Sequence, residues 1–347
     1  MVDIPHFELT AGHRHPAWRL SINDRDVTDD LATRIVSLTI NDNRGFEADT
    51  VSIVLSDHDG VMPVPEHGAV VSVALGWRGV PLIDKGQFIV DAVEHSGAPD
   101  ILTINAKSAD FREALLEKKN ISYEKQTLSA LIGKIASEYE LTPRVSASLT
   151  GIQLTHKIQS NESDANLLTR LAIEHDAIAT IKNGALLFIA AAEGLSSTGI
   201  ALPTVAITRT SGDQHSYRMS DRDKFTGVKA YYFDLQAAKK RWVLAGDDTR
   251  TTTLKKAYKT ADDAEVAAAA ELKRLNRGVA ALSIRFAYGQ PHLFPELPIA
   301  VSGFKPAIDA VDWLITKATH TLDEQGLTTS IDCEVKDDQL IGDSAGD

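Results

Sequence analysis

From Trp18 to about Lys107, apolar residues alternate with polar ones in short runs: Ile35, Leu38 and Ile40, then Val51, Ile53 and Leu55, then Val71, Val73 and Leu75, then Phe88 and Val90, then Leu102 and Ile104. A repeat of two places such residues on one face of an extended strand. The runs are broken by Asn43-Arg44-Gly45, Asp57-His58-Asp59-Gly60 and Gly76-Trp77-Arg78-Gly79, which are turn sequences. Short strands at this spacing favour a small antiparallel β-barrel or sandwich, and residues 1–107 are assigned to a first β-barrel domain.

The period then changes. Thr127 precedes Leu128, Leu131, Ile132, Ile135 and Tyr139, one face of a helix with a hydroxyl N-cap and with Pro143 beyond its end. A second helix starts at Ser163 or Asp164 and carries Leu167, Leu168, Leu171 and Ala172 on one side. Lys182-Asn183-Gly184 turns into the apolar run 185–190, so residues 108–198 read as an α+β middle domain. Strand patterns return near Ile200, at 205–208, 228–233 and 242–244, and again from Ala281 to about Val335. Between them Thr260-Ala261-Asp262-Asp263 opens an alanine-rich helix with Lys273, Arg274 and Arg277 at its negative end before Gly278. Residues 199–336 are thus predicted to be a second β-barrel domain with a helical insertion near 260–277, and 337–347 a flexible acidic tail.

An ordered echo links the two strand-rich parts. Pro65-Glu66 before the Val71 strand matches Pro295-Glu296 before Ile299, at an offset of 295 − 65 = 230. Phe88 through His95 matches Trp313 through His320 (320 − 95 = 225), and Leu102-Thr103 matches Leu327-Thr328 (327 − 102 = 225). Two copies of one barrel topology explain the order of the matches, and shared strand composition is the competing explanation. With two related barrels per chain, three chains would present six similar units about one axis.

Composition narrows the function. Acidic residues outnumber basic ones by 48 − 36 = 12, which disfavours binding to phosphate backbones or anionic membranes. The single cysteine, Cys333, excludes an intrachain disulfide and a thiolate-rich zinc site, and is expected to be buried in a late strand. No run approaches the length of a membrane span, and the N-terminus has no secretory-signal pattern.

The segment Gln159-Ser160-Asn161-Glu162-Ser163-Asp164, leading into a helix, resembles the Q-x-N-E-S-D motif of the late-control D proteins of contractile-tailed phages and tailocins. Also similar are Phe46-Glu47-Ala48-Asp49, residues 90–94, Ser108-Ala109-Asp110, Thr127-Leu128, Trp313-Leu314-Ile315, His320 and Gly326, so the likeness extends over about residues 5–336. The family is related to the hub part of type VI secretion spike proteins. The resemblance implies a structural baseplate hub that is a homotrimer, adapting a sixfold tail tube to a threefold central spike. Its implied partners are a trimeric spike, a tube or tube-initiator protein, a tape-measure protein and baseplate wedge proteins. Assembly in the host bacterial cytoplasm is implied too, with DNA passing through the lumen of a phage particle. Three chains at −12 would give the ring 3 × −12 = −36, expected to repel that DNA.

Candidate chemistry offers little competition. His13 and His15 alternate as metal ligands can, but no third ligand is nearby, and a solvated arm is the reading adopted. Glu174-His175-Asp176 is read as a surface cluster at a helix end, because adjacent helical residues do not face one another. Glu162 and Asp164 could be a glycosidase pair, yet Ser163 and Asp164 sit where a helix needs capping acceptors. Phosphate-loop, nucleophile-elbow and zincin motifs are all missing from the sequence. Lys239-Lys240-Arg241-Trp242 and Lys255-Lys256 form a basic, aromatic patch read as solvated or partner-facing. Neither catalysis, cofactor nor metal is expected. Asn161, Glu162 and Asp164, with Trp77 and Arg78 at a predicted hairpin tip, are the candidate subunit or partner contacts. A cell-wall hydrolase of the baseplate and a DNA-binding late regulator stand as alternatives from other classes.

Overall fold

The computed structural model describes residues 15–108, 113–182, 184–192, 194, 200–212, 214–219, 225–234 and 237–336. The predicted tail, His13 and the Ala109-Asp110 part of the family likeness lie outside them. The chain is mainly β, with large antiparallel sheets.

The first strand group comprises β1 (Pro16–Ile22), the two-residue β2 (Arg25–Asp26), β3 (Ile35–Asn43), β4 (Thr50–Ser56), β5 (Val70–Trp77), β6 (Ile83–Ser96) and β7 (Ile101–Ser108), with a single helical turn α1 (Thr28–Leu31). Its strands run β1-β5-β6-β7-β4-β3 across the sheet, every neighbour antiparallel. The alternating residues line one core that includes Leu20 of β1 as well as Leu38 and Ile40 of β3, so the two ends of the order share an interior. β1 and β3 do not pair with each other; the far edge of β3 is used elsewhere.

The middle of the chain forms β8 (Lys118–Thr127), α2 (Leu128–Glu138), β9 (Thr142–Val145), α3 (Ala147–Thr150), β10 (Gln153–Ser163), α4 (Asp164–Glu174), β11 (Ala177–Lys182) and β12 (Ala185–Ala190). The Thr127 hydroxyl accepts from the Ala130 N–H at 3.1 Å and the Ser163 hydroxyl from the Asn166 N–H at 3.2 Å, so both helices begin at their caps. The predicted apolar faces, Leu128, Leu131, Ile132 and Ile135 on α2 and Leu167, Leu168 and Leu171 on α4, are buried together with Phe188 in a separate core.

The last part contains β13 (Val205–Thr208), β14 (Gln214–Met219), β15 (Gly227–Asp234), β16 (Lys239–Gly246), β17 (Thr251–Tyr258), α5 (Ala261–Arg277), β18 (Ala280–Phe286), β19 (Pro298–Ser302), α6 (Pro306–Asp309), β20 (Asp312–Asp323) and β21 (Gly326–Val335). The predicted strands near 228–233 and 242–244 do not join the large sheet. With β17 they form a three-stranded layer, order β16-β15-β17, against which α5 packs Ala264 and Ala268. The insertion therefore takes in residues 227–277 rather than the helix alone. It lies between β14 and β18, the place where the first group has only the 44–49 turn between β3 and β4.

Without the insertion, the remaining strands run β13-β19-β20-β21-β18-β14, the same order as the first group. Both central strands carry a β-bulge at matching places, Val90/Ala92 and Ile315/Lys317, at 315 − 90 = 317 − 92 = 225. Phe88 and Trp313, also 225 apart, are the large buried aromatics before each bulge. Gly68 at φ +87° donates its N–H to Val90, and Glu296 at φ +72° donates to Ile315. The repeated kink is thus backbone geometry that survives loss of the glycine. Two details differ from the sequence echo. Leu102 lies opposite His95 but Thr329 lies opposite His320, so the Leu102–Leu327 match is two residues out of register. In addition β1 is antiparallel to β5, whereas β13 is parallel to β19.

The two groups are fused into one sheet. β3 pairs antiparallel with the second half of β20, from Lys317 opposite Asn43 to Leu322 opposite Leu38. Beside this seam Arg44 reaches Glu296 and, at 2.6 Å, Glu334, while Arg277 of α5 binds Asp176 of the middle part at 2.8 Å and approaches Glu334 at 3.5 Å. Arg44→Ala strands the buried Glu296 carboxylate, and should destabilise the protein by roughly 3 kcal/mol in denaturant unfolding, more than Arg44→Lys.

Candidate functional site

The Q-x-N-E-S-D segment ends β10 with a bulge at Asn161, which has φ +48° and an N–H bonded to the Asn120 side chain at 2.8 Å. The bulge turns consecutive carboxylates in different directions. Glu162 is gripped by Arg170, Nε to Oε1 at 2.9 Å and Nη2 to Oε2 at 2.7 Å. Asp164 has no exposed surface and accepts from Lys119 Nζ at 2.6 Å, the Tyr139 hydroxyl at 2.6 Å and Gln159 Nε2 at 2.8 Å. Burial alone would raise its pKa, but these donors, Lys119 foremost, hold it below the usual range. Burial and the bond to Asp164 push the Tyr139 phenol up to about 12.

Capping therefore falls to Ser163, and Asp164 instead locks α4 to β8 and α2. Each carboxylate is thus held as the counter-charge of a cation, Glu162 of Arg170 and Asp164 of Lys119, rather than as one of a facing acid–base pair. Of the three residues, Asn161 alone is exposed.

Glu174, read from sequence as part of a surface cluster, is buried instead. The end of α4 is covered by the insertion, and Glu174 meets Lys157 at 2.8 Å and Lys256 of β17 at 2.5 Å. Burial opposes its ionisation, yet the Lys157 and Lys256 ammonium groups outweigh it and bring the carboxyl to about 2. His175 is pushed down by burial, and its neighbour Asp176 points away to Arg277. Glu174 and Asp176 thus have separate partners, as adjacent positions at a helix end require, while neither ring nitrogen of His175 has a hydrogen-bond partner among the described residues.

Trp77 is the last residue of β5 rather than a hairpin tip. It is half-buried, its indole N–H donates to the Gly289 carbonyl at 3.0 Å, and its ring packs at 6.0 Å from Tyr288, so it fastens the first strand group to the second. Arg78 is exposed, its backbone N–H bonded to the His15 carbonyl at 2.9 Å. Lysines of the basic patch on β16 and β17 lie over aromatic rings, Lys240 4.1 Å from the Tyr231 centroid and Lys256 5.1 Å from that of Tyr258.

Sequence reasoning missed the polar cluster under the seam. Asp42 of β3, Lys85 of β6 and His320 of β20 converge there, with Lys85 Nζ 2.9 Å from Asp42 and 2.8 Å from His320 Nε2. Burial, then the Lys85 charge, lowers the pKa of the His320 imidazole. A Lys85 ammonium donating to Nε2 leaves Nδ1–H to donate to Thr329 at 2.9 Å. His320 was noted as an echo of His95. The signal for the cluster was a histidine and two charges on otherwise apolar strand faces. Among the described residues no group of three His, Cys, Asp or Glu side chains is placed to hold a metal ion, and no helix is long and apolar enough to cross a membrane.

Two strand groups of one order, joined in one sheet, define the architecture, and comparison with known proteins gives it a family. The family described as phage tail baseplate hub (GPD) matches residues 50–326. Probable baseplate hub proteins of Escherichia phages P2 and 186 are 38% and 39% identical, each match covering 92% of this chain and 93% of theirs. The chain belongs to this baseplate hub family, and is a structural component of a phage baseplate. In fold it is similar to a prophage MuSo2 43 kDa tail protein from Shewanella oneidensis (TM-score 0.69, 14% identical, 93% of this chain and 99% of that one). It is likewise similar to a tail protein of Neisseria meningitidis (TM-score 0.67, 13% identical, 92% and 96%).

Two outcomes are expected. Asp164→Asn leaves Lys119 without its main counter-charge and should cost about 3 kcal/mol in denaturant unfolding, while Asn161→Ala stays near wild type. Glu174 titrates at about 2 against an ordinary value of 4.5, so its contribution is complete above pH 4.5 and fades as pH falls towards 2. Acid-unfolding curves should show that loss, about 3 kcal/mol, and Glu174→Gln should flatten it.

Proposed function

We propose that this hub works as a homotrimeric ring whose six strand groups mimic a sixfold annulus, adapting the tail tube on one face to a threefold central spike on the other. The observation carrying the proposal is the repeated strand order β1-β5-β6-β7-β4-β3 and β13-β19-β20-β21-β18-β14 within one continuous sheet. A chain that holds two copies of one unit side by side can match six subunits with three. The ring acts without catalysis: the two carboxylates of the family-like motif are bound to Arg170 and Lys119. Its partners are the spike, a tube or tube-initiator protein, the tape measure and the wedges. A fold resemblance to an Escherichia coli type VI secretion component supports the spike (TM-score 0.53, 15% identical, 87% of this chain and 73% of that one). Assembly takes place in the bacterial cytoplasm, and any DNA passes through the bore.

Native mass measurement of the hub with its spike should give three hub copies, and averaged images down the axis should show six lobes. A different copy number removes the adaptor role.

A further inference from the structure

The pairing inside the chain predicts the pairing between chains. Within the sheet, β3 of the first group covers the second half of β20 of the second group. The equivalent of β20 is β6, and among the described residues the second half of β6 beyond Asp91 has no strand on that side, because β5 ends its pairing at Ile89. The equivalent of β3 is β14, which pairs with β18 alone and ends the sheet. Among the described residues one open acceptor and one open donor edge thus remain, the complementary halves of a joint that the chain already makes once.

Strand ladders fix the register. Val90 is equivalent to Ile315, so their partners Ala106 and Cys333 are equivalent. Next along the sheet come Val51 and Leu282, and then Ile40 and Tyr217, an offset of 217 − 40 = 177. Applying −225 to β20 and +177 to β3 converts Ala318–Asp42, Thr319–Asn41, His320–Ile40 and Thr321–Thr39 into Val93–Met219, Glu94–Arg218, His95–Tyr217 and Ser96–Ser216.

We propose that β14 of one protomer pairs antiparallel with residues 93–96 of β6 in the next, in this register, closing the ring. The proposal rests on the trimeric reading above. Its side-chain pairs are complementary: apolar with apolar, acid with base, imidazole with phenol. The hydrogen bond from Thr319 to Asn41, 3.0 Å within the chain, becomes a Glu94–Arg218 ion pair between chains. Among the described residues neither charge has an ion-pair partner of its own. Exposure points the same way. Ala318 and His320 are fully buried under β3, whereas the His95 side chain is 46% exposed and Met219 is 56% exposed. A long uncovered edge strand is a liability that a neighbour's strand removes.

Paired cysteines test it in hubs assembled into tails. Glu94→Cys with Arg218→Cys should give, on oxidation, a covalent trimer on a denaturing gel, while Asn41→Cys with Thr319→Cys, at the joint within the chain, cross-links without change of mass. Cys333 is buried and stays out of the reaction. E94R or R218E alone should deplete assembled hub, and the double swap E94R/R218E should restore it. Three hub copies per tail with the control linked and the E94C/R218C pair unlinked overturns the register and leaves the ring standing. Dimers from R218C alone mean that β14 edges pair with each other, which overturns it too. A copy number other than three overturns both readings.

Discussion

Backbone pairing between β3 and β20 is the constraint on which the rest of the molecule depends. A flexible linker between two barrels would leave their relative rotation free, whereas a ladder from Lys317–Asn43 to Leu322–Leu38 sets it through main-chain hydrogen bonds and sheet twist. Side chains on both faces secure the seam. Asp42, Lys85 and His320 meet beneath it, and Arg44 joins its end to Glu296 and Glu334. A polar cluster of this kind is satisfied in one register only, because a slip of one residue would put Asp42 and His320 on opposite faces of the sheet. Its charges therefore contribute more to the uniqueness of the joint than to its strength.

The additions to the repeated unit sit where they leave that joint intact. The middle part enters after β7, and the three-stranded layer with α5 enters between β14 and β18. These two additions then lean on each other, through Lys256 on Glu174 and Arg277 on Asp176. Ion pairs thus join the two additions to each other. The burial of Glu174 beneath a distant part of the chain is the reason that its cluster, polar in sequence, lies in the interior.

Much of the fold was legible from local pattern. Period-two runs marked β3 to β7, hydroxyl caps marked α2, α4 and α5, and the Phe88/Trp313 and Val90/Ile315 matches lie on equivalent strands. Failures came where long-range pairing decides. Nothing local separates β15 and β16 from the strands of the large sheet, since a strand pattern does not name its neighbour. Leu102 matched Leu327 by composition while the ladders set Leu102 against Thr329, a two-residue shift that preserves the alternation and so escapes pattern matching. Trp77, beside the Arg78-Gly79 turn, looked like an exposed tip. Its indole is held by Gly289, 212 residues away. The carboxylates of Glu162 and Asp164 were visible as a cluster, but their cations, Arg170 and Lys119, lie on other elements and could not be assigned.

The differences between the two halves of the repeat explain how near-copies avoid mispairing. Were the halves identical, β3 could bind either β6 or β20, and chains could join in wrong order or swap. In the actual chain β3 offers Asp42 to Lys85 and His320, and the position equivalent to Asp42 on β14 is Met219, which has no charge to meet that lysine. Exchanging the edges would leave Lys85 buried against a thioether, a cost of several kcal/mol. Divergence at a few facing positions thus assigns each edge its own strand while the shared backbone kinks, at Gly68 and Glu296, keep the geometry of the two units alike.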